Sequence, residues 1–122
     1  MDKKFIITII LVTFLGKGFS QSSSVASISP EQNELNVPVN TLISITFNTE
    51  MNPVMINDTT FFVQGSVSGL HQGAIGYGQD TKTATFYPAV NFEEGEIVTV
   101  SLTREVQTNQ GVPLDSGYTW LF

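Results

Sequence analysis

The chain has 122 residues, no cysteine, a single histidine and a formal charge of −6, with 41% apolar and 13% charged residues. That is one domain's worth of sequence, able to bury a core without disulfide staples. The acidic balance argues against nucleic acid and anionic lipid as partners, and one histidine without a thiol removes most nucleophilic enzyme schemes.

Lys3 and Lys4 precede an apolar run over residues 5–15, followed by Gly18, Phe19 and Ser20. A charged start, a greasy middle and a small-residue exit predict a secretory signal peptide over residues 1–20. The run is 11 residues long, short of the roughly 20 that a bilayer-spanning helix needs. Cleavage after Ser20 would remove three of the five basic residues and one of the eleven acids, leaving ten acids against Lys82 and Arg104, a formal charge of −8. The expected location is secreted or cell-surface, with no membrane insertion after cleavage.

Residues 21–26 read as a short, flexible polar leader, and residues 27–122 as the folded domain. No sustained helical periodicity appears there. Short β-branched runs separated by turn residues recur instead. Residues 27–29 lead into Pro30 and residues 35–37 into Pro38, both expected as strands closed by a residue without a ladder donor. Residues 42–47 form the clearest strand, with Ile43, Ile45 and Phe47 on one face and Ser44 and Thr46 on the other.

Residues 60–64 predict a strand through Phe61, Phe62 and Val63. The glycine-rich stretch 65–80 predicts only a weak edge strand near Ala74 to Tyr77. Residues 83–87 alternate and stop at Pro88, and residues 97–102 alternate again through Ile97, Val98, Val100 and Leu102. Gln110 and Gly111 mark a turn. Residues 118–122 predict a last strand with Tyr118, Trp120 and Phe122 on one face. About seven short strands with a turn every ten or so residues predict an all-β Greek-key sandwich, an open barrel being the structural rival. The predicted core is Ile43, Ile45, Phe47, Phe61 or Phe62, Val63, Phe86, Val98, Val100, Leu102, Trp120 and Phe122.

Four blocks follow one another in a recognisable order. They are Ser29-Pro30 with Val37-Pro38-Val39-Asn40-Thr41 and residues 43–47; Phe47-Asn48-Thr49-Glu50-Met51-Asn52-Pro53 followed by Phe61-Phe62-Val63; Thr85-Phe86-Tyr87-Pro88 with Asn91-Phe92-Glu93-Glu94-Gly95 and Val98-Thr99-Val100; and Val106-Gln107-Thr108-Asn109-Gln110-Gly111 with Leu114, closed by residues 118–122. In this the chain resembles the bacterial immunoglobulin-like domain of the SbsA, surface-layer type, over residues 27–122. The resemblance implies an Ig-like sandwich that serves as a non-catalytic spacer or adhesion support on a secreted or surface-attached bacterial protein. It implies either one module of a longer multidomain design or a single-module protein. The chain departs from the resemblance at Ile97, where the family usually carries a tyrosine; a buried tyrosine hydroxyl at such a corner ties down backbone in related sandwiches.

Each reactive side chain has a bland reading beside its chemical one. His71 reads as a solvated loop residue. Glu93, Glu94 and Glu96 could supply part of a calcium ring, as could Asp58 beside Asn57, but none has the alternating spacing of a dedicated calcium loop. Adjacent glutamates in a turn point apart and do not form a catalytic pair. Met51 and Met55 are soft ligands of the kind used by exported copper-carrier sandwiches, yet Met51 sits at a corner that it should plug. Tyr77, between two glycines, is the one aromatic expected to be exposed to a ligand, and Trp120 is in phase with the core. The sequence therefore predicts no catalytic residue, cofactor or resident metal. A protein or glycan at the cell surface is the partner class left open, and the alternative is a carbohydrate- or calcium-binding sandwich, with a copper-carrier-like protein ranked below it.

Overall fold

The computed structural model describes residues 23–122. The predicted signal peptide and the first residues of the leader lie outside them. Among the described residues eight strands form, β1 Val25–Ser29, β2 Ile43–Phe47, β3 Phe61–Gly65, β4 Gly69–His71, β5 Gly73–Gly78, β6 Thr83–Pro88, β7 Val98–Leu102 and β8 Tyr118–Leu121, with one 3-10 turn at Pro53–Met55. They build two four-stranded antiparallel sheets, ordered β1-β2-β6-β5 and β4-β3-β7-β8.

The alternation predicted for residues 43–47 is the observed burial: Ile43, Ile45 and Phe47 are buried while Ser44 and Thr46 are half-buried on the other face. Their register on β6, Ile43 opposite Phe86 and Ile45 opposite Ala84, puts like faces together. In the second sheet Val98, Val100 and Leu102 of β7 are buried between Phe61 and Val63 of β3 and Trp120 of β8. The sheets meet where the rings of Phe61 and Phe86 lie 6.0 Å apart at 55°. Phe61, not Phe62, is the core phenylalanine. Phe122 is only partly buried, set edge-on against Phe92 with ring centroids 6.4 Å apart.

Three expectations need correction. Residues 35–37 form no strand: Asn33 and Asn36 take φ of 63° and 60°, left-handed values that an extended strand does not allow, and Leu35 is 81% exposed. The described part of the leader is tied down. Ser23 is buried, its hydroxyl donates to the Pro113 carbonyl at 3.0 Å, and β1 already starts at Val25. Finally, the glycine-rich stretch holds two strands, the three-residue β4 being the one missed; β5 is a sheet edge, as its composition suggested.

Tyr118 does not share the burial of Trp120. It is 37% exposed and lies against the tryptophan ring at 5.8 Å.

Candidate functional site

At one end of the sandwich the β3–β4 turn, residues 66–68, meets the 93–97 turn that leads into β7. Ser66 N donates to the Ile97 carbonyl at 2.8 Å, and Ile97 N donates to Ser66 Oγ at 2.9 Å. Between them lies the Glu96 carboxylate. Oε1 accepts from the amides of Val67 and Ser68, each at 2.9 Å, and Oε2 accepts from Ser68 Oγ at 2.8 Å and Glu93 N at 2.7 Å. Glycine at residue 65 leaves room for this arrangement, because a Cβ there would push aside the Glu96 carboxylate and the Ser68 hydroxyl.

Burial on its own would raise the Glu96 carboxyl. The backbone amides of Ser68, Glu93 and Val67, together with the Ser68 hydroxyl, outweigh it and hold the group at about 2, below its ordinary 4.5. A carboxyl whose pKa is depressed on folding contributes stability that is complete above the unfolded value and is lost as pH falls through the folded one. Glu96→Gln is therefore expected to lower the melting temperature at neutral pH and to flatten the pH dependence of stability between 4.5 and 2. Thermal melts of both proteins across that window check it; parallel acid limbs would contradict the assignment.

Next to this brace is His71, which is 6% exposed on β4 and not in a solvated loop. Its ring packs on Phe92 at 4.3 Å, and Nε2 lies 2.6 Å from Ser68 Oγ. The Ser68 hydroxyl has one proton and gives it to the Glu96 carboxylate, so His71 Nε2–H is the donor to Ser68. Nδ1 is buried without a hydrogen-bond partner.

Histidine, serine and glutamate are thus in line, but in the wrong order for hydrolysis. A triad needs the acid on the far nitrogen of the imidazole and a free lone pair facing the serine. Here the acid holds the serine, and a carboxylate poised at about 2 is a poor acceptor for its proton. The arrangement braces two turns.

The other predicted candidates fall apart in space or are already committed. Among the described residues no group of three or more His, Cys, Asp or Glu side chains is positioned to hold a metal ion. The Glu93 and Glu94 side chains are exposed, and Glu96 has its four donors. Met51 is fully buried and pairs as an isolated bridge with Thr108, while Met55 stands in the 3-10 turn.

Tyr77 is not an exposed platform. It is half-buried, its ring lies 6.5 Å from Phe47, and its hydroxyl accepts from the Met51 amide at 2.8 Å. Ile97, where the resembling family has tyrosine, is 53% exposed; Tyr77 ties a different corner, the one at Met51. Tyr77→Phe leaves that amide without its acceptor and is expected to cost about 1–3 kcal/mol in urea unfolding, with faster hydrogen exchange at Met51. An unchanged midpoint would show the bond to be dispensable.

A cleft of about 290 Å³ lies beside the brace. Residues 34–39 line it from one segment, Phe92, Glu93 and residues 95–98 from another, together with Phe122. Sequence reasoning missed this cleft and Ser68 alike, because their parts come from segments separated by tens of residues.

A sequence profile described as a bacterial Ig-like domain matches residues 20–122. No curated protein sequence matches. Among solved structures, the native conformation of E. coli alpha-2-macroglobulin is similar with a TM-score of 0.64 and 16% identity, over 84% of this chain and 6% of that one. Its MG0-NIE-MG1 fragment gives the same score and identity over 31% of the fragment. Domains 1–6 of the surface layer protein SbsC are similar with a TM-score of 0.62 and 13% identity, over 86% of this chain and 14% of that one. The chain spans a small part of each of these proteins, and the likeness is one of fold.

Proposed function

We propose that this chain, which belongs to the bacterial Ig-like domain family over residues 20–122, is a non-catalytic spacer or support module of a secreted or surface-attached protein. The observation that carries this reading is the path of the chain. Ser23 sits at the start of β8, its carbonyl accepting from the Asp115 amide at 3.2 Å. Phe122 sits at the far end of β8, exchanging two backbone hydrogen bonds with Val98, at 2.9 and 3.0 Å. The sandwich therefore carries the polypeptide from one end to the other.

A pull between those ends runs along the strands, so the β1–β2 and β7–β8 ladders are loaded in shear and many hydrogen bonds must yield together. Single-molecule stretching tests this. Handles at Ser23 and Phe122 are expected to give one cooperative rupture, at a higher force than handles at Ser23 and Gln110, which lie at the same end. Equal or lower force in the end-to-end geometry would remove the mechanical argument. The exported location is checked by N-terminal sequencing of the protein recovered outside the cytoplasm, with Gln21 expected first.

A further inference from the structure

We propose that the cleft at the Phe122 end is a docking site for a partner protein segment that presents an aliphatic side chain flanked by lysine or arginine. The inference goes beyond the spacer role, and its test is independent of the stretching experiment.

Val37, Pro38, Phe92, Ile97, Val98 and Phe122 supply the apolar part of the cleft's lining. Its apolar surface also runs outward onto Leu35, 81% exposed, and Ile97, 53% exposed. At about 290 Å³ it lies at the low end of the roughly 300–1,000 Å³ typical of small-molecule pockets. It is large enough for one or two side chains, with further contact area on the surrounding surface. A sugar would want an open aromatic face, and here Phe92 and Phe122 are packed edge to face on each other.

Charge selects the partner. Glu34 and Glu93 line the cleft, with Glu31 and Glu94 on the same two loops. Glu34 Oε1 accepts only from the Glu31 amide at 2.8 Å, and the Glu93 carboxylate meets no donor among the described residues. Both cations of the described residues are at the other end: the Lys82 carbonyl accepts from the Phe47 amide, and Arg104 follows Leu102 of β7, opposite Tyr118. Among the described residues nothing basic competes for the acidic rim. Lysine and arginine suit such a place, since their stems cover apolar surface while their heads reach carboxylates.

The Glu96 brace gives the site its rigidity. By fixing residues 93–97 against residues 66–68 it holds one wall in place before any partner arrives, which lowers the ordering cost of binding.

The test is an amide NMR titration of the purified, isotope-labelled protein with the peptide acetyl-Lys-Leu-Lys-Leu-Lys-amide. Shifts are expected at residues 34–39, 92–98 and 122, weakening as salt is raised. Ile97→Ser and Glu93→Lys, both at exposed positions, should each weaken binding by about tenfold or more if they sit at the centre of the contact, while Asp115→Asn at the opposite end leaves it unchanged. The proposal is overturned if no shifts appear at millimolar peptide, or if pentalysine binds as well as the leucine-containing peptide. Shifts spread over both ends regardless of variant, or a chitooligosaccharide moving these residues where the peptide does not, would overturn it too.

Discussion

Truncating Phe47 to alanine is expected to destabilise the domain by about 3–5 kcal/mol, a large part of the 5–15 kcal/mol that holds a typical small domain folded. Phe47 is 1% exposed at the end of β2. Its ring faces Tyr77, and its amide donates to the Lys82 carbonyl at 2.8 Å. The truncation would open a cavity between the two sheets at the point where the chain leaves β2 for the Met51 corner. It would also loosen the ring that positions the Tyr77 hydroxyl. Chemical unfolding should show a much lower midpoint with an unchanged slope, because the surface exposed on unfolding hardly changes. A Phe47→Ala protein that unfolds with the parent would disprove the placement of this residue in the core. Phe47→Leu, which keeps much of the volume, is expected to fall between the two.

The contrast between residues 43–47 and residues 35–37 shows where the sequence was legible. Strand β2 alternates strictly, and alternation is a local signal that survives into the fold because one face of the sheet must be buried. Leu35-Asn36-Val37 looks the same over three residues, but the asparagine tolerates a left-handed backbone that the pattern cannot reveal. Its leucine ends up on the surface beside the cleft. Family membership follows from blocks in a fixed order, so it too was readable.

The brace was not. Ser68 and Glu96 are 28 residues apart, and His71 has polar and glycine neighbours that suggest a loop. Only the pairing of β3 with β4 and β7 brings them together. Tyr77 failed for a related reason. Flanking glycines suggested exposure, whereas β5 is an edge strand whose inward side chains still reach the core, and the tyrosine hydroxyl finds a backbone amide 26 residues away.

Trp120 should be the second position of large effect, and its variants separate two kinds of interaction. Trp120 is 2% exposed on β8, opposite Val100, in the sheet β4-β3-β7-β8. Its indole Nε1 donates to the carbonyl of Pro30 at 2.9 Å, and Pro30 directly follows β1 of the other sheet. One side chain thus fills the core and ties the loop after β1 across it. Trp120→Ala removes both and is expected to cost about 3–5 kcal/mol from lost packing, with the orphaned carbonyl adding to it. Trp120→Phe keeps most of the apolar volume but leaves the Pro30 carbonyl unpaired, for an expected cost of about 1–3 kcal/mol. If the phenylalanine variant were as unstable as the alanine variant, the cross-sheet hydrogen bond would dominate. If it were as stable as the parent, the tie would carry no weight and packing alone would account for the tryptophan. The expected order, parent above phenylalanine above alanine, would place the joining of the two sheets partly in apolar burial and partly in a single directional bond.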